Sequence, residues 1–357
     1  MAKVKQLLKG IQRRIGYFLW LIFDPSKFVR VKQERIRKIL IVNLGFIGDL
    51  LATTPMISAL KNEFGAEISI LVNDQMKEVL SGNKDISKVI AYSDNFSVDL
   101  DKLKREKFDL AVIVWPGSLK ISLLCLLAKI PYRIGTTQTG LLEGKGYFLT
   151  RKVWPYMQEK HKVEENLDIA GLVGAKSDKP EVKFFFSKKD EKSVDEFLSK
   201  NKISKPIIVI HAGKRGKFYA EYSWALKNFV RVANFLIENY GANIILSGGK
   251  GEEIIAKRIY DMVKDKGKVY IVAGRFNLGQ FAALLKKSNL LISIDTATVH
   301  VASSSSINIP MVVLNVKYPR IWHPYVSRGR YKILNRPTTS EVEKASSEFL
   351  RKYLRKK

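Results

Sequence analysis

From Lys38 onward, short apolar runs alternate with longer segments whose apolar positions recur at helical spacing. The apolar runs predict strands, because each is four to seven residues long and ends at glycine or polar residues. The predicted strands are 38–43, 67–72, 88–92, 108–114, 207–210, 243–246, 269–272, 289–294 and 311–314. The segments between them predict helices at 49–64, 98–107, 118–128, 224–240, 252–264, 278–287 and 298–303.

This alternation predicts α/β architecture with parallel sheets covered by helices on both faces. The pattern restarts after a linker-like segment at 175–180 and a charged helix at 187–201, so the 357 residues predict two doubly wound domains. We place a first domain at 38–175 and a second at 176–335, which starts with the linker and the charged helix. A basic helix at 336–357 closes the chain and could pack back on the first domain.

The first 37 residues differ from the rest. Residues 1–38 carry eleven Lys and Arg against two acidic residues, and their apolar positions recur at helical spacing. The central apolar run is too short to span a bilayer, and no small-residue cleavage site follows it. We expect an amphipathic helix in the interface of an anionic membrane, and the alternative is a helix packed on its own protein. The predicted membrane residues are Lys5, Lys9, Arg13, Arg14 and Trp20.

The formal net charge of +28 indicates an anionic partner, which could be a phosphate-bearing substrate, a nucleic acid or an anionic lipid surface. No recognised nucleic-acid-binding module accompanies this charge. The single cysteine, Cys125, excludes an intramolecular disulfide and a cysteine-rich metal site. Its apolar neighbours predict a buried thiol.

In the first half, Gly45-Phe46-Ile47-Gly48-Asp49 follows a predicted strand and opens a helix. The segment lacks the Gly-x-Gly-x-x-Gly spacing and the Gly-Lys-Ser/Thr ending of the two common nucleotide loops, which disfavours a plain NAD enzyme or NTPase. Gly45 and Gly48 allow close approach of the backbone. Asp49 is either a helix-capping acid or a catalytic base, and the residues around it leave both open.

In the second half, three strand ends carry groups suited to a nucleotide diphosphate. Asp295-Thr296-Ala297 opens a helix that continues to His300, and backbone N–H groups there can face a phosphate. Gly248, Gly249 and Glu252 follow the strand at 243–246, where Glu252 accepts hydrogen bonds from a ribose or caps its helix. The loop after the strand at 207–210 contributes the cations Lys214, Arg215 and Lys217.

An ordered set of short motifs resembles glycosyltransferase family 9, the ADP-heptose:lipopolysaccharide heptosyltransferases. The motifs are Gly45-x-x-Gly48-Asp49, His161-x-Val163-Glu164-x-Asn166-Leu167, Ile210-His211-Ala212-Gly213, Gly248-Gly249-x-x-Glu252, Val272-Ala273-Gly274 and Asp295-Thr296-x-x-x-His300. The resemblance implies a GT-B architecture, in which two Rossmann-like domains face a central cleft, with the acceptor bound by the first domain and the nucleotide-sugar by the second. It also implies that Asp49 is the catalytic base, that Glu252 meets the ribose, and that Asp295, Thr296 and His300 bind the diphosphate and the donor sugar.

The resemblance further implies an inverting transfer of heptose from ADP-heptose to a lipopolysaccharide core or similar glycolipid. Such an enzyme works in the cytoplasm, peripherally on the inner face of the cytoplasmic membrane. We expect no cofactor and no metal, because the chain has no Asp-x-Asp pair at a strand end and no clustered histidines. Nucleic acid is not an expected partner.

Three departures from the family pattern affect the donor half. His211-Ala212-Gly213 stands where the family has His-Pro-Gly, Asp295-Thr296-Ala297 stands for Asp-Thr-Gly, and Tyr222 and Ser223 precede Trp224 where a lysine is usual. The phosphate-neutralising cation is then one of Lys214, Arg215 and Lys217, of which we prefer Lys217. The alternatives are another GT-B enzyme, such as a nucleotide-sugar epimerase, or a non-catalytic protein that binds nucleotide-sugars or nucleic acid.

Overall fold

The computed structural model describes residues 33–136, 146, 148–153, 159–213 and 224–354. The chain divides into two compact units, the first ending at Pro180 and the second beginning at Glu181. Among the described helices, none combines the length and the apolar character that crossing a bilayer requires. The predicted membrane residues Lys5, Lys9, Arg13, Arg14 and Trp20 lie outside the described residues.

The first unit is built on a parallel sheet of six strands in the order β3-β2-β1-β4-β5-β6. Its strands are β1 (Lys38–Val42), β2 (Glu67–Asn73), β3 (Lys88–Tyr92), β4 (Leu110–Ile113), β5 (Tyr132–Thr136) and β6 (Arg151–Val153). Its α-helices are α1 (Ile47–Phe64), α2 (Phe96–Glu106), α3 (Leu119–Leu127) and α4 (Lys162–Gly171). A 3₁₀ helix at Asp74–Leu80 follows β2.

Burial on both faces explains why the central strands are continuous apolar runs. All four residues of β4 and the last four of β1 are buried. At the amino ends of these strands, the carboxylate of Asp109 accepts hydrogen bonds from the backbone N–H groups of Arg37 and Lys38, at 2.8 Å each. Cys125 on α3 is fully buried, as predicted, and this burial raises the pKa of its thiol to about 12. A thiol with that pKa is inert at neutral pH.

The second unit repeats the same plan with a six-stranded parallel sheet in the order β12-β11-β10-β7-β8-β9. Its strands are β7 (Ile207–His211), β8 (Asn243–Ser247), β9 (Val269–Ile271), β10 (Leu290–Ile294), β11 (Met311–Leu314) and β12 (Tyr331–Leu334). Its α-helices are α5 (Lys188–Lys200), α6 (Leu226–Tyr240), α7 (Glu253–Met262), α8 (Leu278–Lys287), α9 (Ala297–Ala302), α10 (Pro319–Trp322) and α11 (Thr339–Leu354).

Counted from the first strand of each unit, both sheets have the doubly wound order 3-2-1-4-5-6. The order reverses between β1 and β4 in the first unit and between β7 and β10 in the second. In open α/β sheets, ligands bind outside the carboxyl ends of the strands at this switch point. The loops that follow β1, β4, β7 and β10 are therefore where each unit is expected to hold a ligand.

The C-terminal helix α11 packs within the second unit, against α6 and the strands β10, β11 and β12. Val342, Ala345, Phe349 and Leu350 are buried in the core that α6 and these strands share. The packing described for this helix is thus within the second unit. Its apolar stripe completes the core of the second sheet.

Three strands and two α-helices are present that the sequence pattern does not predict, namely β5, β6, β12, α4 and the short α10. Arg133 and Gly135 interrupt the apolar run of β5, and β6 is only three residues long with two cations. All four residues of β12 are only half-buried, so this strand at the sheet edge lacks a fully apolar run. These strands form because they hydrogen-bond to a neighbouring strand of the sheet. The local hydrophobic pattern of the sequence does not reveal such a neighbour.

Candidate active site

The loop after β1 is held by the side chain of Asn43, which is 1% exposed. Its amide Nδ2 donates to the hydroxyl of Thr53 at 2.7 Å and to the backbone oxygen of Asp49 at 3.1 Å. Its Oδ1 accepts from the N–H of Gly45 at 2.9 Å. Because one buried amide ties the strand end to the first turns of α1, the position of Asp49 is fixed relative to the sheet.

The carboxylate of Asp49 lies in the first turn of α1, where Oδ2 accepts a hydrogen bond from the N–H of Phe46 at 2.9 Å. Burial raises the pKa of this carboxyl, while the Phe46 hydrogen bond and the charge of Lys162 act in the opposite direction. Gly45 is required beside it, since a Cβ there would lie 2.6 Å from the Asp49 side chain. Asp49 therefore does brace the helix start, but its half-buried carboxyl with a raised pKa also suits a proton acceptor.

Helix α4 packs against α1. The buried amide of Asn166 donates to the backbone oxygen of Ala52 at 3.0 Å. Lys162, in the first turn of α4, pairs with Glu165 and places its ammonium 5.5 Å from the ring centroid of Trp115. The sequence pattern did not identify Lys162 or Trp115. Only the position of Trp115 directly after an apolar run could have signalled its location at a strand end.

In the second unit, the ends of β7 and β8 are joined by a buried histidine. His211 Nδ1 lies 3.3 Å from the hydroxyl of Ser247, and its Nε2 lies 3.9 Å from Oε2 of Glu252. That same Oε2 accepts a hydrogen bond from the N–H of Gly249 at 2.6 Å. Burial lowers the pKa of His211, and Glu252 opposes this shift. Glu252 thus holds the glycine loop in place. A Cβ on Gly248 would lie 2.9 Å from the Cβ of Glu252.

The ends of β7 and β10 meet at the switch point of the second sheet. Gly213 has a φ of +69°, and a Cβ there would lie 2.2 Å from Cδ1 of Ile294. Asp295 follows directly, and its Oδ2 accepts from the N–H of Lys317 at 3.4 Å. Burial raises the pKa of the Asp295 carboxyl to about 6. A carboxyl whose pKa is raised in this way by burial is typical of a ligand site.

Thr296 and His300 extend the same edge. The hydroxyl of Thr296 lies 2.7 Å from that of Thr298, which in turn lies 2.8 Å from the hydroxyl of Ser293. The ring of His300 packs edge to face on Trp322 with centroids 5.5 Å apart. Burial, with a smaller contribution from His323, lowers the pKa of His300 to about 4. At neutral pH this imidazole is uncharged, so it can hydrogen-bond a hydroxyl but adds no charge.

The structure thus brings the predicted residues into two separate groups. Gly45, Gly48 and Asp49 lie at the switch point of the first sheet, whereas Gly248, Gly249, Glu252, Asp295, Thr296, Ala297 and His300 lie at the carboxyl edge of the second. Lys214, Arg215 and Lys217 fall outside the described residues. Within the described ranges, no three His, Cys, Asp or Glu side chains are grouped as a metal site requires.

Comparison with known proteins decides the family. Residues 100–349 match the family model "Glycosyltransferase family 9 (heptosyltransferase)". The chain belongs to glycosyltransferase family 9. Over 251 residues it is 24% identical to the lipopolysaccharide core heptosyltransferase OpsX of Haemophilus influenzae, an alignment that covers 70% of this chain and 67% of that protein.

Two solved structures show the same fold. A glycosyltransferase family 9 protein from Veillonella parvula superposes with a TM-score of 0.77 at 18% identity, covering 90% of this chain and 99% of that one. The ADP-heptose lipopolysaccharide heptosyltransferase II of Escherichia coli gives 0.74 at 18% identity, covering 88% and 99%. The predicted fold of two Rossmann-like, doubly wound domains is confirmed, and the protein is a glycosyltransferase.

The raised pKa of Asp295 leads to a stability prediction for this family 9 enzyme. A carboxyl with a pKa of about 6 in the folded state and about 3.9 in the unfolded state stabilises the fold only while it is protonated. That contribution is complete below about pH 4 and is lost as the pH rises through 6. Asp295→Asn should therefore raise the free energy of unfolding at pH 7.5, by at most about 3 kcal/mol.

The measurement is thermal unfolding of both proteins at pH 7.5 and pH 5.0. The stability gained by the variant should shrink as the pH is lowered, since the wild-type carboxyl then becomes protonated. Asp190→Asn is the matched control, because hydrogen bonds to the Asp190 carboxylate lower its pKa and its replacement should destabilise the protein. An Asp295→Asn variant that is less stable than the wild type at pH 7.5 would contradict the prediction.

Proposed function

We propose that this protein transfers heptose from ADP-heptose to a lipopolysaccharide core or similar glycolipid acceptor, with inversion at the anomeric carbon. The observation that carries the proposal is Asp49, a half-buried carboxyl at the switch point of the first domain whose pKa is raised by burial. It is combined with a second domain in which acidic, hydroxyl and imidazole side chains line the corresponding edge. Membership of a heptosyltransferase family supports the choice of sugar.

On the acceptor side, Asp49 takes the proton of the attacking hydroxyl. The hydroxyl oxygen forms a bond to the anomeric carbon while the bond from that carbon to the nucleotide diphosphate breaks. One displacement of this kind inverts the anomeric centre. General-base assistance of this type contributes roughly 10²–10⁴-fold to the rate. The raised pKa of Asp49 brings the base closer to the pH at which the enzyme operates, which favours proton transfer.

On the donor side, the leaving ADP gains negative charge as the bond breaks. Glu252 binds the ribose, and Asp295, Thr296 and His300 bind the diphosphate and the sugar. One cation about 4 Å from the diphosphate is worth about 4 kcal/mol at an effective dielectric of about 20, before desolvation is counted. We assign this cation to Lys214, Arg215 or Lys217, so that the reaction proceeds without a metal ion.

The identity of the donor is tested by thermal stabilisation with ADP-, UDP-, GDP- and CDP-sugars, followed by transfer to lipopolysaccharide core. A ligand present at about 100 times its dissociation constant adds about 2.7 kcal/mol to the free energy of unfolding. We expect ADP-heptose to stabilise the protein most and to be consumed when core acceptor is added. Stabilisation by a UDP-sugar alone, without transfer, would instead support the epimerase alternative.

We also propose that the enzyme acts on the inner face of the cytoplasmic membrane, with residues 1–37 in contact with anionic lipid. The amino-terminal excess of Lys and Arg supports it, since each cation near an anionic surface contributes about 1 kcal/mol. Deletion of residues 1–24 should leave activity on a soluble acceptor fragment unchanged, because the first sheet begins only at Lys38. Activity on acceptor embedded in anionic vesicles should fall, and raised salt should mimic part of the loss.

Sedimentation with anionic vesicles provides the direct measurement for this deletion. A full-length variant with Lys5, Lys9, Arg13 and Arg14 replaced by glutamine is the matched control, since it removes the charge and keeps the apolar face. Equal sedimentation of the truncated and full-length proteins would show that the helix packs on its own protein.

A further inference from the structure

Two loops leave the first sheet side by side at its switch point. The N–H of Val114 donates to the backbone oxygen of Val42 at 3.1 Å, which continues the pairing of β1 and β4 one residue beyond the end of β4. Asn43 directly follows Val42, and Trp115 directly follows Val114. The loop that carries Phe46 and Asp49 and the loop that carries Trp115 therefore flank one crevice of the first domain.

Large apolar side chains are exposed at this edge. Phe46 is 77% exposed, Trp115 is 39% exposed, and Leu119 at the start of α3 is 41% exposed. We call Phe46, Trp115 and Leu119 the apolar edge. Because α3 runs back along the sheet after the β4 loop, its first residue lies at the carboxyl edge and its last residue, Leu127, at the opposite edge. Leu127 is similarly exposed, at 43%, and is not part of the apolar edge.

Lys162 links the apolar edge to the proposed base. Its ammonium lies 5.5 Å from the centroid of the Trp115 ring, and its positive charge lowers the pKa of Asp49. The side chain of Lys162 is largely buried, so it is held in this place rather than free to sample solvent. Trp115 and Asp49 therefore both have Lys162 as a neighbour. A molecule that presents a hydroxyl to Asp49 lies within reach of the indole ring of Trp115.

We propose that the apolar edge is the platform on which the acceptor sugar rests, with the ring that carries the attacking hydroxyl packed on the face of Trp115. The proposal rests on the function proposed above and adds the residues that select the acceptor. A pyranose ring has an apolar face of C–H groups, and an aromatic ring offers a large, rigid contact surface at low entropic cost. The hydroxyls at the rim of the sugar remain free to hydrogen-bond, one of them to Asp49.

A saccharide fits this place better than an acyl chain. The group that meets Asp49 must carry a hydroxyl, which an acyl chain lacks. Among the described residues of this edge, the large apolar side chains that are exposed are the three of the apolar edge. The neighbouring ammonium of Lys162 also favours a polar, anionic glycan over a hydrocarbon. Cation–π contact with Lys162 orients the indole as well, so that its ring is already positioned before the sugar binds.

The test is direct binding of deacylated lipopolysaccharide core oligosaccharide to the full-length protein, by calorimetry and without nucleotide-sugar. Trp115→Ala should weaken this binding about tenfold or more, and Trp115→Phe should restore most of it. Leu119→Ala should weaken binding by a few-fold. Leu127→Ala, the same change at a similarly exposed position on the other end of α3, should leave it unaltered. Affinity for ADP-heptose should stay the same in all four variants, because none lies in the second domain.

Three outcomes would overturn the proposal. Oligosaccharide affinity that does not respond to Trp115→Ala would remove the platform and leave the proposed function intact. Weakening seen only with acylated glycolipid, and not with the deacylated oligosaccharide, would assign the apolar edge to the lipid part of the acceptor. Absence of oligosaccharide binding to the unaltered protein would overturn both the platform and the proposed acceptor.

Discussion

Replacement of Asp49 by asparagine is expected to lower the turnover of sugar transfer by about 10²–10⁴-fold, the usual contribution of a general base. Asparagine keeps a side-chain oxygen that can accept the hydrogen bond from the N–H of Phe46, so the start of α1 should remain intact. What it loses is the ability to take a proton from the acceptor. The measurement is the rate of transfer to a soluble core acceptor at saturating ADP-heptose.

Two further measurements separate loss of chemistry from loss of structure. The melting temperature and the affinity for ADP-heptose should stay close to those of the wild type, because Asp49 lies in the first domain. The substitution Lys162→Gln supplies a second test. It removes a positive charge that lowers the pKa of Asp49, so this pKa should rise. The acidic limb of the pH profile of kcat/KM should then move to higher pH, where the base is again deprotonated.

Lys160→Gln is the matched control for the Lys162 variant. Its ammonium lies 2.7 Å from the carboxylate of Asp168 and is not among the charges that shift Asp49. The pH profile of this control should be that of the wild type. Normal turnover in Asp49→Asn would return Asp49 to a purely structural, helix-bracing role.

The second large effect is expected on the donor side. Thr296→Ala and His300→Ala should each weaken the binding of ADP-heptose about tenfold, which corresponds to about 1.4 kcal/mol. The loss of one hydrogen bond at a half-buried polar site costs about this much binding free energy. Because burial lowers the pKa of His300 to about 4, the imidazole is neutral near pH 7 and acts through a hydrogen bond rather than through charge. Titration of His300 should thus not contribute to any change in donor affinity between pH 6 and 8.

Calorimetry with ADP-heptose and with ADP measures the donor prediction and divides it between sugar and nucleotide. Ser303→Ala is the matched control, since this hydroxyl follows the same short helix α9 but is buried against the backbone oxygen of Val299. Together with Asp49→Asn, these variants should show separate effects, with turnover lost in one domain and affinity lost in the other. Unchanged affinity in both Thr296→Ala and His300→Ala would place the nucleotide-sugar elsewhere.

The central strands were predictable because they are buried on both faces, and burial on both faces requires a continuous apolar run in the sequence itself. Residues 311–314, all of them buried, form a strand with the predicted bounds. Residues 88–92, which form an edge strand, and the helix at 278–287 also have the predicted bounds. The short strand β6 was not predictable, since three residues with two cations form a strand only when a neighbouring strand offers its backbone.

The sequence by itself determined which residue types follow each buried strand, and therefore that Asp49 and the Asp295 to His300 segment lie at carboxyl edges of sheets. It did not determine their electrostatic state. The pKa of Asp49 depends on how deeply α1 is covered and on Lys162, which α4 brings from more than a hundred residues away. The adjacency of Trp115 to that site depends on the pairing of β1 with β4, a non-local contact. Side-chain pattern records local periodicity, whereas strand order, burial and long-range charge are decided only when the sheets assemble.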